Sequence, residues 1–122
     1  MTVNPSGTAG EPGVAVEVLD HAVAVRPVGE IDLATSPHLS HALAEALRHA
    51  SAPKPVVLDC SRLTFCDSAG LNALLVARRA AQDAGVALHL DSPNDQLQRL
   101  LDISGTLPLF PVNQIPSHGT PR

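Results

Sequence analysis

Between Leu63 and Leu75 the chain changes its hydrophobic period, and that change limits the folds open to it. On the N-terminal side, Val56-Val57-Leu58 and Leu63-Thr64-Phe65 are short runs of β-branched, aliphatic and aromatic residues, which suits strands buried in a sheet. On the C-terminal side, apolar residues recur at Leu71, Leu74, Leu75, Ala77, Ala80, Ala81 and Ala84, the spacing of one helix face. Cys66-Asp67-Ser68-Ala69-Gly70 must therefore turn strand into helix. Asp67 and Ser68 each carry a side-chain oxygen of the kind that accepts a hydrogen bond from the free N–H groups of a first helical turn. Gly70 allows close approach of backbone. The pattern predicts a helix from about Ala69 to Ala84, stopped by Gly85, with Ser68 at its exposed N-terminus.

The rest of the chain supplies the layers around this turn. Residues 1–13 are rich in Gly, Pro, Thr and Ser and read as a flexible tail. Val14, Val16 and Val18, then Val23, Val25 and Val28, alternate with smaller or polar residues on either side of Asp20-His21, which predicts a hairpin. Pro27 lacks a ladder donor and marks an edge or a bulge. Residues 29–35 read as a loop, and Ser36-Pro37 as a helix start with a capping hydroxyl before a proline. Leu39, Ala42, Leu43, Ala46, Leu47 and Ala50 form an apolar stripe, with His38, His41, Glu45, Arg48 and His49 facing out. Residues 56–60 make a central strand, and Leu63-Thr64-Phe65 follows either a bulge or a short turn. Val86 to Leu90 predicts a further strand. Ser92-Pro93 repeats the hydroxyl-proline helix start, for a helix bearing Leu97, Leu100, Leu101 and Ile103 and closed by Gly105. Leu107 to Val112, broken by Pro108 and Pro111, allows at most a short edge strand, and residues 113–122 read as a second flexible tail.

This order, β-β-α-β-α-β-α with an optional last strand, implies one α/β domain over residues 14–112. Its sheet would be mixed, mostly parallel and of four to five strands, with right-handed crossovers. Loops leaving the carboxyl ends of parallel strands gather on one edge, so the Glu30–Ser36 loop, the Asp67-Ser68 turn and the Asp91–Asp95 loop are expected together. Composition narrows the partners. With no Trp or Tyr, two Phe and a net charge of −4 without a basic run, the chain has almost no residues for stacking on bases and little to hold a phosphate backbone. Met1 to Gly13 has no basic start or apolar run, and no apolar segment reaches membrane-spanning length, so the expected location is the cytoplasm. Cys60 and Cys66 are spaced unlike a redox pair or a zinc framework and read as buried thiols.

Gly29-Glu30-Ile31-Asp32-Leu33-Ala34-Thr35, Val56-Val57-Leu58-Asp59, Thr64-Phe65-Cys66-Asp67-Ser68-Ala69-Gly70-Leu71 and Leu100-Leu101-Asp102-Ile103-Ser104-Gly105 occur in that order. Together they resemble the STAS domain, specifically the bacterial anti-sigma factor antagonists. The resemblance implies a STAS-type fold and a regulatory binding protein, not an enzyme, that uses no cofactor and no metal. In that family the serine of the Asp-Ser-(Ser/Ala)-Gly-Leu motif, here Ser68, is phosphorylated by an ATP-dependent serine kinase that is also the anti-sigma factor. The unphosphorylated protein binds this partner and frees a sigma factor for transcription, phosphorylation ends the binding, and a serine phosphatase restores it. The resemblance places Asp32 beside Ser68 and implies a partner-binding set of Glu30, Asp32, Thr35, Asp67, Ser68, Ala69 and Gly70. Ala69 stands where the family often has a second serine, which leaves Ser68 as the single acceptor of the motif.

Other readings of the same residues are weaker or remain open. Ser68 and Asp67 could both be plain helix caps, Asp67 could orient the hydroxyl or help a partner's magnesium, and Asp32 could be an exposed loop acid. A hydrolase nucleophile elbow needs glycine two residues before the serine, where Cys66 stands, and His89 lies in a predicted strand. An aspartyl-phosphate receiver needs a late lysine, but the single lysine is Lys54. His38 and His41 lack a second ligand pair for a metal. Within the STAS family, a scaffold or an accessory subunit of a transport or signalling complex is the alternative, because one fold serves several partners.

Overall fold

The structure, a computed structural model, describes residues 8–113. Its main sheet has six strands: β1 (Thr8–Glu11), β2 (Val14–Val18), β3 (Val23–Pro27), β5 (Val56–Asp59), β7 (Leu88–Asp91) and β8 (Val112–Asn113), in that spatial order. β1, β2 and β3 pair antiparallel, while β3/β5, β5/β7 and β7/β8 pair parallel. Among the described residues three α-helices complete the fold, α1 (Ser36–His49), α2 (Ser68–Ala84) and α3 (Asp95–Ile103), with a single 3-10 turn at Leu107–Leu109 before β8. The mixed α/β architecture is the expected one, with one strand more than the four to five predicted.

The sheet works through its side-chain period of two. Val14, Val16, Val23, Val25, Val56, Leu58, Leu88 and Leu90 are buried on one face, against Leu39, Ala42, Leu43 and Ala46 of α1 and Leu71, Leu74, Ala77 and Ala81 of α2. Fully burying each such aliphatic side chain contributes roughly 1.5–3 kcal/mol, so this face carries the fold. The alternate residues Glu17, Arg26, Val57, Asp59 and His89 are only half-buried. There Arg26 bridges strands, pairing with Glu17 on β2 and, at 3.4 Å, with Asp59 on β5.

A second, two-stranded ladder sits beside the main sheet and was not foreseen. β4 (Gly29–Ile31) pairs parallel with β6 (Leu63–Cys66), with an irregularity between Gly29 and Glu30. The expected loop at residues 29–35 therefore begins as a strand. Gly29, at φ +85°, supplies the bend away from β3, and its N–H donates to Arg62 O at 2.9 Å. The break before Leu63 is a short turn, in which Leu63 N–H donates to Cys60 O at 3.1 Å, and Leu63–Cys66 beyond it is a strand of this second ladder. As a ladder on the rim it exposes Thr64 and Phe65, where a buried strand was expected.

Several further expectations are corrected. Residues 8–11 form edge strand β1, although they were placed in the flexible tail. Asn113 likewise closes β8, and residues 1–7 and 114–122 lie outside the described residues. Thr35, not Ser36, is the N-cap residue of α1, and its side chain makes no cap bond because its hydroxyl is engaged in the preceding loop. In α3 the cap is Asn94, whose Oδ1 accepts from Leu97 N at 2.8 Å, so the helix starts two residues beyond Pro93. Ala80 and Ala84 are exposed and Ala73 is buried, which rotates the α2 face slightly from the predicted stripe. α2 does end at Gly85 in the left-handed region, at φ +72°.

Candidate functional site

The site forms where β6 runs into α2. Asp67 is the N-cap, its backbone extended and its Oδ1 accepting from Ala69 N at 2.9 Å and Gly70 N at 3.1 Å. A short acceptor side chain at this position satisfies two of the donors a helix start leaves free. The open choice between the two capping residues is thereby decided. Ser68 is the first helical residue, exposed to solvent, and takes no part in the cap.

Gly70 is buried in the same turn. A methyl group built on it would lie 2.5 Å from Cys66 Sγ and 2.8 Å from Ile31 Cγ2, so the strand ends and the helix start touch without a side chain between them. Ala69 is half-buried and Asp67 likewise. The Asp67 N–H donates to Ile31 O at 3.1 Å, which sets the end of β4 against the end of β6. Glu30 and Asp32 thus stand beside Phe65 and Asp67, because Glu30 is the register partner of Phe65 and Ile31 that of Cys66.

Asp32 and Thr35 form a closed local motif. Asp32 Oδ1 accepts from Ala34 N at 3.0 Å and Thr35 N at 3.1 Å, and lies 3.0 Å from Thr35 Oγ1. Thr35 Oγ1 accepts in turn from Asp32 N at 2.8 Å. These bonds, from the Thr35 hydroxyl first and its N–H second, hold the Asp32 carboxyl below its ordinary value. Asp32 therefore stays ionised next to the Ser68 turn. Thr35, half-buried and committed to this loop, supports the surface more than it presents one.

Of the third expected loop, Asp91 stays in the last position of β7. Asp91 pairs with Asp59 in the main sheet. What arrives instead is the start of α3. Asn94 Nδ2 donates to Leu63 O at 3.0 Å and to Thr64 O at 3.3 Å. Gln96 Oε1 accepts from Cys66 N at 2.9 Å while its Nε2 donates to Cys66 O at 2.7 Å. Neither residue was singled out from the sequence. Asn94 carried a usable signal, an amide ahead of an apolar stripe, whereas Gln96 on a helix looks like any solvated polar residue. Phe65 and Leu33 were missed as well. They are 42% and 79% exposed, large apolar groups left in water near the turn.

Other titratable groups have structural surroundings. Cys60 and Cys66 are buried free thiols, as expected; burial above all pushes Cys60 up to about 12 and Cys66 up to about 11, with nearby carboxylates adding to the effect. Both stay protonated at neutral pH. His38 and His41 each place Nδ1 3.6 Å from Glu11 Oε1, across from edge strand β1. Among the described residues, no helix is long and apolar enough to cross a membrane. Chemically, then, the turn offers an exposed primary hydroxyl on a helix N-terminus, with the carboxyl side chains of Glu30, Asp32 and Asp67 and two exposed apolar residues on the segments that meet there.

Comparison with known proteins gives a consistent result. A family model described as "Mlab, STAS domain" matches residues 14–107. An anti-sigma F factor antagonist of Paenibacillus polymyxa is 31% identical over 88 residues, which cover 72% of this chain and 74% of that protein. Among solved structures, an anti-sigma factor antagonist from Mycobacterium paratuberculosis superposes with a TM-score of 0.71 at 22% identity, covering 91% of this chain and 89% of that one. SpoIIAA shares the fold at 19% identity in two states. Its unphosphorylated form gives a TM-score of 0.69 over 87% of this chain and 90% of that one. The phosphorylated form, from Bacillus, gives 0.64 over 87% and 94%.

Proposed function

The chain belongs to the STAS domain family, and from that membership we propose that it is an anti-sigma factor antagonist switched by phosphorylation of Ser68. Unphosphorylated, it binds an anti-sigma factor that is an ATP-dependent serine kinase, and this releases a sigma factor for transcription. Phosphate on Ser68 ends the binding, and a serine phosphatase resets it. The chain itself acts as substrate and ligand, not as an enzyme.

One observation carries this reading: Asp67 takes the capping role, so Ser68 is left exposed and outside the cap. A serine needed for the cap would have its hydroxyl turned into its own helix. Here the hydroxyl is free to enter a kinase cleft. The surroundings favour a protein partner. Phe65 and Leu33 supply apolar contact area, and Glu30, Asp32 and Asp67 supply charge around it, the usual division between the centre and rim of an interface. Asp32 is restrained by its own loop, so its charge is presented with little conformational freedom to lose on binding.

The test is direct. The tagged chain is purified from its own cells with the kinase that accompanies it, incubated with ATP, and the phosphate is mapped. One phosphate on Ser68, and none on the Ser68→Ala variant, is the expected result. Phosphate on Thr35, Ser36 or Thr64 in the wild-type chain overturns the assignment.

A further inference from the structure

Among the described residues, β6 pairs with one strand, β4. Its residues Leu63, Phe65 and Cys66 stand in register with Gly29, Glu30 and Ile31 of β4, and the next N–H along, that of Asp67, donates across the ladder to Ile31 O. Along a strand, successive residues direct their N–H and C=O groups to opposite edges. The groups of Cys66 therefore point away from β4, towards a side where no strand lies among the described residues. On that side Gln96 meets both of them, accepting from Cys66 N at 2.9 Å and donating to Cys66 O at 2.7 Å. A primary amide is the side chain suited to this, since it carries an acceptor and a donor at the spacing of a neighbouring peptide group. Gln96 stands in for a strand at the last residue of β6.

We propose that Gln96 is a positioning residue for phosphoryl transfer to Ser68, acting through the Cys66 peptide, an inference that rests on the kinase-substrate reading above. The chain of contacts is short. Gln96 fixes Cys66 on one edge, Ile31 O fixes Asp67 on the other, and Asp67 Oδ1 fixes Ala69 and Gly70 as the helix start. Ser68 lies between the fixed residues. Without Gln96, β6 is held from one side only at its C-terminal end, and Cys66 and Asp67 gain freedom to rotate the Ser68 hydroxyl away from an in-line approach. Displacements of this size are costly in group transfer because the reacting oxygens must be aligned. Asn94 supports the same strand further back, at Leu63 and Thr64, and is also the cap of α3, so its loss would disturb the helix as well. Gln96 has no such second duty, which makes it the cleaner probe.

Because Gln96 lies behind the turn, its loss should slow transfer more than it weakens docking. The experiment measures steady-state phosphorylation of the full chain by the kinase that phosphorylates the wild type at Ser68. Gln96→Ala is expected to lower kcat at least tenfold, with KM changed less than about twofold. Gln96→Glu keeps the acceptor for Cys66 N but sets a carboxylate against Cys66 O, and is expected to lose as much. Gln98→Ala serves as the control, since Gln98 donates to Pro93 O at 3.0 Å from the same helix and, among the described residues, makes no hydrogen bond to β6; it should transfer phosphate at the wild-type rate. Circular dichroism confirms that each variant is folded at the assay temperature. Wild-type kcat in both Gln96 variants overturns the proposal while leaving Ser68 as the acceptor. An equal fall in Gln98→Ala also overturns it, because the effect would then be general loosening of α3. If the wild-type chain takes phosphate at another residue or none, the functional reading fails first and this inference falls with it.

Discussion

Replacing Gly70 by alanine tests how tightly the acceptor turn is built. At the third position of α2, alanine gains roughly 0.5–1 kcal/mol over glycine from its smaller loss of backbone freedom. Against this stands the new methyl group, placed 2.5 Å from Cys66 Sγ and 2.8 Å from Ile31 Cγ2. Both distances require movement. Cys66 is buried and its sulfur only two bonds from Cα, and Ile31 is β-branched, stiff at χ1 and only 2% exposed, so neither is a flexible chain end. Moving Ile31 also disturbs its carbonyl bond to Asp67 N. Overpacking of this kind costs about 1–3 kcal/mol, so a net loss of about 1–2 kcal/mol is expected. At about 4 °C per kcal/mol for a chain of this size, calorimetry should record a melting point about 4–8 °C lower. Cys66→Ala relieves the shorter contact, so the double variant should be more stable than the sum of the two single effects by about 1 kcal/mol. A Gly70→Ala protein that melts above the wild type, with an effect that simply adds to that of Cys66→Ala, would refute the close contact beneath the turn.

Phosphorylation of Ser68 should leave folding stability nearly unchanged. The helix dipole favours the phosphate by roughly 0.3–1 kcal/mol. Asp67 already occupies the N–H groups of Ala69 and Gly70, and like unit charges about 4 Å apart in water repel by about 1 kcal/mol. Calorimetry on the purified phospho-form should therefore find a shift within about 4 °C, and a much larger fall would mean that the modification unwinds the start of α2. Affinity for the kinase, by titration calorimetry, should meanwhile fall at least tenfold, about 1.4 kcal/mol. Phe65→Ser should weaken that binding while stabilising or leaving unchanged the free protein, since Phe65 is 42% exposed; unaltered affinity would remove it from the interface. Burial raises the Asp59 carboxyl, but the N–H and hydroxyl of Ser61 together with Arg26 outweigh it and bring the value below 3.8. Its folded value is thus below its unfolded one, so its contribution is full above that range and is lost as the pH falls through the folded value. Urea midpoints of Asp59→Asn should fall less steeply than those of the wild type at acid pH, and parallel acid limbs would contradict the assignment. Both thiols should resist alkylation at about pH 8 in the folded chain and react on addition of denaturant, because neither is a thiolate there; rapid labelling of the native protein would show the burial to be wrong.

The parts legible in the sequence are those written in local patterns. Alternating valines gave the strands, the stripes at Leu39 and Leu71 gave the helices, and the change of period at Cys66-Gly70 gave the strand-to-helix turn and its exposed serine. These signals survive because side-chain direction repeats every two residues in a strand and about every 3.6 in a helix, whatever the strand or helix packs against. Which of Asp67 and Ser68 caps α2 was not legible. Both residue types fit, and the outcome depends on the backbone of Asp67, extended at φ −99° and ψ −170°, which its bond to Ile31 O helps to hold. Nor was the second ladder legible, since Gly29–Ile31 has too few residues for a period and its partner lies more than thirty positions away. A separation of 30 positions from Cys66 likewise hides Gln96. Its amide means nothing until α3 is folded against β6, where it bonds both main-chain groups of Cys66. Phe65 shows the converse: its type promised burial, and only its place on a ladder at the rim of the sheet left it in water. Local composition fixed the elements, then, while the roles of the residues around Ser68 came from contacts between segments that have no pattern in common.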